Sequence, residues 1–358
     1  MFEFPFLSLL ILYNLTNLSC FYPEKHHLEC PKLEIMHVAY CPKLKLFTSK
    51  IHDSHKEAIT EAPIKCLQQP LFIVEKVVPK LKELTLNEKN MMLMSDAHVP
   101  QHYLSKLNLL QLCFEEDKNE KGTLPFDFLH RVPNLEHFRV QRCFGIKEIF
   151  SSEKLQVHDG IPATLKALTL FELNELESIG FEHPWVKSFS EKLQTLRVIS
   201  CPWLEKLGRG AMSFINLKVL YVMDCARMGY LFTLSTAKSL VQLETLIVRR
   251  CESIKEIAMK EDEDDCDEII FERLRTLTLN SLPRLQSFLS GNATMQFSCL
   301  KNAYVINCPN MKTFSEGVLT APRFFGIKTS YEDSDLFFHD DLNTSFQRLF
   351  QRQVEKSA

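Results

Sequence analysis

Residues 193–207 read LQTLRVISCPWLEKL, residues 217–231 read LKVLYVMDCARMGYL, and residues 243–257 read LETLIVRRCESIKEI. Aligned on the first leucine, the three share L-x-x-L-x-V-x-x-C-x-x-[LIM]-x-x-[LI]. The front half alternates as a strand does, so Leu196 and Val198 point one way while Thr195, Arg197 and Ile199 point the other. In the rear half, apolar residues recur at every third position and turn the chain back beneath its neighbour. Counting the first leucine as offset zero, the inward positions are offsets 0, 3, 5, 8, 11 and 14.

The same pattern opens at Leu33, Leu135 and Leu300, each with cysteine at offset 8 (Cys41, Cys143 and Cys308). A sister form with leucine at that offset opens at Leu7, Leu165 and Leu274 (Leu15, Leu173 and Leu282), and shorter matches open at Leu81 and Leu107. From Leu81 to Leu300 eight steps cover 219 residues, a mean period of about 27, within the ~20 to 29 of leucine-rich repeats. No single copy can bury its own apolar wedge, so neighbouring copies must supply the core. The spacing therefore predicts an α/β fold: a leucine-rich-repeat solenoid, or horseshoe, with a parallel concave sheet and an irregular or short-helix convex side. It extends over residues 1–320 in 11 to 12 repeats.

The 48-residue step from Leu33 to Leu81 breaks the period, and we read residues 48–79 as one degenerate repeat with an exposed loop. At the other extreme, Phe6 to Tyr13 has the look of a signal-peptide core, but Glu3 stands where a basic residue would be expected and Leu7, Leu10, Leu12, Leu15, Leu18 and Phe21 fit the repeat. A first wedge with nothing in front of it suggests the tail of something larger. Residues 321–358 form a separate segment, with an edge strand expected over 323–328 and a short amphipathic helix beginning at Asn343 or Thr344.

Composition excludes much. Hydrophobic residues at 45% and charged residues at 24% rule out disorder over most of the chain, and a net charge of -3 opposes nucleic-acid binding by phosphate neutralisation. Only 10 glycines are present, under half the usual ~7% share, and neither a phosphate loop nor G-x-G-x-x-G occurs. No hydrolase or metalloprotease motif is found, so neither an enzyme, a cofactor, a small-molecule substrate nor a membrane span is expected. Six of the 12 cysteines share offset 8 with leucines, which marks a small apolar slot and a reducing cytosol or nucleus rather than disulfides. The spacing of Cys20, His26, His27 and Cys30 matches no familiar zinc site, and the acidic run from Glu261 to Glu268 reads as a solvated loop.

Function then falls to the open face. Offsets 2, 4, 6 and 7 give His137, Arg139, Gln141 and Arg142 from one repeat and Thr195, Arg197, Ile199 and Ser200 from another. Val219, Tyr221, Met223 and Asp224 follow, and then Thr245, Ile247, Arg249 and Arg250. Arg139, Arg142, Arg197, Tyr221, Arg249 and Arg250 are the candidate protein-binding residues, since arginine and aromatics dominate binding hot spots.

The blocks VPNLEHFRVQRCFGIKEIF, EKLQTLRVISCPWLEKL, FINLKVLYVMDCARMGYLF and LVQLETLIVRRCESIKEIA resemble the C-terminal repeats of plant intracellular disease-resistance proteins of the coiled-coil, nucleotide-binding, leucine-rich-repeat class. The resemblance implies a module that senses a pathogen effector or a modified host protein and holds a nucleotide-binding switch off until then. The partner would be an effector, a host target or that nucleotide-binding domain, whose phosphate loop has no counterpart in these residues. The cysteine-bearing repeat also resembles the substrate-receptor repeats of F-box ubiquitin-ligase adaptors. A secreted receptor ectodomain is disfavoured by the lack of L-x-G-x-I-P.

Overall fold

The computed structural model describes residues 2–21, 28–48, 70–87, 90, 91, 94, 101–114, 124, 128, 129, 131–150, 161–208, 210, 212–260, 268–329, 336, 337 and 342–357. The chain divides into two compact units, one of Met1–Phe144 with Val157–Leu165 and one of Gly145–Gln156 with Lys166–Ala358. Each is a stack of coils, and each coil contributes one strand to a parallel sheet.

In the N-terminal unit these strands are β1 (Leu9–Tyr13), β2 (Ile35–Ala39), β3 (Glu83–Leu86), β4 (Leu109–Cys113) and β5 (His137–Gln141). Pairing holds equal offsets opposite one another: Leu10 faces Met36, Met36 faces Leu84, Leu84 faces Leu110, and Leu110 faces Phe138. Strand β2 thus pairs directly with β3, so the 48-residue step adds no rung of its own to this sheet. Among its described residues, the step contributes to the convex side. There Phe72–Ile73 pairs in parallel with Phe47–Thr48 and runs into a short helix, Val74–Val77. Residues 49–69, which hold the expected loop, lie outside the described residues.

The C-terminal unit carries β6 (Ala167–Phe171), β7 (Thr195–Ile199), β8 (Val219–Met223), β9 (Thr245–Arg249), β10 (Thr276–Asn280) and β11 (Asn302–Ile306). All pair in parallel and in register, so Leu168, Leu196, Leu220, Leu246 and Leu277 form one inward row, buried to within 1% exposure. Burying each such leucine contributes about 1.5 to 3 kcal/mol. The convex side is more regular than expected. Besides the short helices Lys187–Lys192 and Leu234–Ala237, it carries parallel strands of its own, Phe232–Thr233 with Glu256–Met259 and Ser287–Leu289.

Past nine of these eleven strands the backbone turns sharply at offset 7. Asn14, Tyr40, Arg142, Glu172, Ser200, Asp224, Arg250, Ser281 and Asn307 all sit there with φ between 50° and 58°. This left-handed region costs a side-chain-bearing residue roughly 1 to 2 kcal/mol. Part of that is offset because the amide at offset 7 donates to the offset-6 carbonyl of the next coil: Ser200 to Met223 (2.8 Å), Asp224 to Arg249 (3.1 Å) and Arg250 to Asn280 (2.9 Å). At offset 8 the cysteine thiol donates back two residues, Cys225 to the Met223 carbonyl (3.5 Å) and Cys251 to that of Arg249 (3.3 Å). The cysteine slot is therefore polar as well as small.

The expected edge strand is Gly326–Lys328, paired with β11, and it is followed by an antiparallel pair of residues, Leu336–Phe337. Helix Leu342–Ser357 packs on this end with Leu342 and Ser345 buried. Asn343 clamps the preceding coil rather than simply capping its own helix. Its Oδ1 accepts from the amides of Phe314 and Ser315 (both 3.1 Å), and its Nδ2 donates to the Ser315 carbonyl (2.9 Å). We expect Asn343→Ala to cost about 1 to 3 kcal/mol, because two amides lose their acceptor. Hydrogen exchange should then rise in 313–316 and 342–357 and stay unchanged over 193–260.

Candidate functional site

The outward side chains of each sheet follow from the pleat: offsets 2, 4 and 6 leave the core, and register lines them up from coil to coil. In the C-terminal unit the offset-4 row is Thr169, Arg197, Tyr221, Ile247, Thr278, Tyr304 and Lys328. Beside it, the offset-6 row carries Phe171, Ile199, Met223, Arg249, Asn280 and Ile306. Arg197 is exposed, whereas Tyr221, Met223, Ile247 and Arg249 are half-buried. The Tyr221 hydroxyl points along its own strand to the Met223 sulfur at 3.1 Å. Tyr304 and Lys328, whose ammonium lies 5.6 Å from the Tyr304 ring centre, belong to the same face. Extending the same offsets to the repeat at Leu300 would have found Tyr304.

Offset 7 lies one residue past the strand, and the two arginines placed there are tied to their own coils' neighbours. Arg250 reaches Asp224 of the preceding coil through Nε and Nη2, both at 2.6 Å, and the carboxylate stabilises its charged form. In the N-terminal unit, Arg142 lies over the Tyr40 ring at 4.8 Å, Tyr40 meets Tyr13 edge-on at 5.1 Å, and the Gln141 amide donates to the Tyr40 hydroxyl at 2.8 Å. Burial pushes the Tyr40 phenol up, so it stays neutral. This Tyr40 cluster was not evident from the sequence, because it links residues 101 apart across the coils at Leu81 and Leu107.

Elsewhere on the N-terminal face, Arg139 and His137 are exposed on β5. His37 bridges two groups of β3, with Nδ1 2.7 Å from Thr85 Oγ1 and Nε2 3.2 Å from Glu83 Oε2. Thr85 is buried, so this triangle braces strands and presents no nucleophile. Nor do the offset-8 thiols. Desolvation pushes Cys201 up to about 12 and Cys308 up to about 11, and the Cys225 contact followed by burial raises Cys251. All the described cysteines are thiols outside disulfides.

Cys20 and Cys30 are described but His26 and His27 are not, so the weak zinc spacing lies outside the described residues, as does the acidic run up to residue 267. Among the described residues no cluster of metal-ligating side chains occurs, and no helix is long and apolar enough to cross a membrane.

Stacked coils, an in-register parallel sheet and an outward face of arginine, aromatic and aliphatic residues define a leucine-rich-repeat interaction scaffold. A family model for the leucine-rich repeats of RPS2-like plant disease resistance proteins matches residues 80–208 and 211–318. The chain belongs to that family, and so is a protein-interaction module of the plant defence response. A search of curated proteins finds no match.

Proposed function

We propose that the outward sheet face recognises a protein in the plant cytosol or nucleus. That protein is a pathogen effector, a modified host protein, or a nucleotide-binding switch domain that the repeats hold in its resting state. The observation that carries this reading is the in-register set of Arg197, Tyr221, Ile247 and Arg249, on strands ~4.8 Å apart. Two guanidinium groups flank an aromatic and aliphatic strip, which suits a partner segment combining carboxylates with an apolar anchor. Arg139 offers a similar cation on β5 of the N-terminal unit. Arg142 and Arg250 hold the turns that shape the face, since both are already engaged with Tyr40 and Asp224.

Left-handed turns favour glycine, yet at offset 7 this chain keeps side chains that project beside the sheet. Retaining them at a cost in backbone energy supports a role in presenting a recognition edge.

The test is a pull-down and titration against the nucleotide-binding region of an RPS2-like resistance protein and against candidate effectors. Replacing Arg139, Arg197 and Arg249 together by glutamate should abolish the contact while leaving the circular dichroism spectrum unchanged. Tyr221→Ala alone should weaken it by roughly thirtyfold or more, as loss of a hot-spot aromatic does. Undiminished recovery with the triple variant would refute the assignment.

A further inference from the structure

The residue just before each strand, at offset 1, forms a row of its own along the upstream border of the sheet. In the C-terminal unit the backbone ties this row together: the Gln194 amide donates to the Lys166 carbonyl (2.7 Å), Lys218 to Gln194 (2.8 Å), Glu244 to Lys218 and Arg275 to Glu244 (both 2.9 Å). Lys301 holds the same offset before β11. Four cations, Lys166, Lys218, Arg275 and Lys301, thus stand against the single carboxylate of Glu244, and all four are exposed. The same border of the N-terminal unit is built differently. There Ser8, Glu34, Lys82, Asn108 and Glu136 supply two carboxylates and one ammonium, and Lys82 is tied to Glu34 at 2.7 Å. In a chain of net charge -3, the basic border is therefore a local feature and not a consequence of composition.

The charge falls away across the sheet. No carboxylate occurs at offsets 2, 4 or 6 of β6 to β11, whereas the far border, at offset 7, carries Glu172 and Asp224, the latter paired with Arg250. Next to the basic border, offset 2 holds only short side chains, Ala167, Thr195, Val219, Thr245, Thr276 and Asn302. They leave room beside the larger Tyr221 and Ile247 of offset 4.

Spacing along the border selects the shape of what fits. The cations fall on alternate coils: Lys166, Lys218 and Arg275 precede β6, β8 and β10, with Gln194 and Glu244 between them. Two coils span about 9.6 Å, because strands lie ~4.8 Å apart. An α-helix lying across the strands rises about 10.5 Å in seven residues and comes back to nearly the same face, so carboxylates at i, i+7 and i+14 would meet the three cations in turn. An extended segment running the same way covers that span in about three residues, and its alternation would turn every second carboxylate away.

Resting on the assignment of this face to protein recognition, we propose that its occupant is an amphipathic α-helix of the partner, laid across β6 to β10. A stripe of carboxylates at heptad spacing sits on Lys166, Lys218 and Arg275, and the adjoining apolar stripe covers Tyr221 and Ile247. The basic border fixes how the helix is rolled, since only one edge of the sheet attracts its acidic stripe.

Two synthetic peptides of identical composition, each held helical by side-chain lactam bridges, serve as probes in fluorescence-anisotropy titrations of the full chain. One places glutamates at i, i+7 and i+14 beside a leucine stripe; the other moves those glutamates to the opposite face. The first should bind about tenfold or more tighter than the second and should weaken as ionic strength rises. Lys218→Glu combined with Arg275→Glu, both at exposed positions, should weaken it by about tenfold or more with an unchanged circular dichroism spectrum. A third peptide with lysines in place of the glutamates should bind that double variant and not the wild type. Equal affinity for the first two peptides, no binding of either, or undiminished binding to the double variant overturns the proposal. So does a single-stranded oligonucleotide of matching charge that binds more tightly than the first peptide, because it makes the border a nucleic-acid site. The broader reading is tested separately. If the Arg139, Arg197 and Arg249 triple variant loses its protein partner while the Lys218 and Arg275 variant keeps it, recognition by the face stands and the helical occupant falls; a partner retained by both variants removes both.

Discussion

Leu196→Asp should unfold the middle of the C-terminal unit. Leu196 is 0% exposed and stands in register between Leu168 and Leu220, which are buried as deeply. Removing the isobutyl group alone costs about 2 to 5 kcal/mol through lost burial and the cavity left behind. The carboxyl group adds the penalty of an unpaired buried polar group, and it would have to take up a proton to remain inside. Together these rival the ~5 to 15 kcal/mol that holds a whole domain folded. In a stack the damage is local at first, because each coil depends on its two neighbours. Hydrogen exchange should therefore lose protection over 165–231 well before 268–306. Arg197→Glu supplies the matched control, since it lies one residue along on the exposed face and should leave exchange unaltered. Native-like protection in Leu196→Asp would mean that the inward and outward faces have been assigned the wrong way round.

That control works because the alternation was legible in the sequence. A strand's side chains must alternate, and the leucine spacing fixes which set faces inward, so offsets 2, 4 and 6 could be placed before any coordinates. Offset 7 could not. Nothing in Arg142 or Arg250 as residue types marks a left-handed turn; of the nine offset-7 residues Asn14 and Asn307 are asparagine, a type that signals one, and none is glycine. The turn is stabilised by an amide bonded to the next coil, a contact some 23 to 30 residues away.

The cysteines were half legible. Exchange with leucine at offset 8 revealed a small buried slot, but the thiol's bond to the carbonyl two residues back depends on the turn geometry itself. The role of Asn343 was hidden for a related reason. Its position beside a helix start suggests a cap, while its actual partners are amides 28 and 29 residues upstream. The Tyr40 cluster bridges coils whose sequences carry no sign of it, because the packing that brings Gln141 to Tyr40 is set by how the intervening coils stack.

Phe288→Ala should be the most damaging truncation on the convex side, and the reason is geometric. Phe288 is fully buried and stacks on Phe314 at 4.6 Å with a 12° tilt, while Phe271 and Phe297, each 6.0 Å away, meet it edge-on. Phe271 and Phe297 stack in turn at 5.0 Å, so four rings from four successive convex segments form one unit. Truncation to alanine opens a ring-sized cavity among side chains held rigidly by their own strands, which implies a cost of about 3 to 5 kcal/mol. Phe288→Leu refills much of the volume but gives up the ring-to-ring term of about 0.5 to 1.5 kcal/mol. A denaturation series across wild type, Phe288→Leu, Phe314→Leu and the double variant separates the two contributions. Coupling between the two sites should fall within that ring-to-ring range, and additive losses would reduce the stack to simple space filling. The backbone argues for coupling, because the Phe288 amide donates to the Phe314 carbonyl at 2.9 Å and fixes the two rings face to face. Since β10 and β11 belong to the same coils as Phe288 and Phe314, Phe288→Ala should also weaken partner binding at Tyr304 on the open face. That loss should exceed the one at Arg197, which lies three coils before β10.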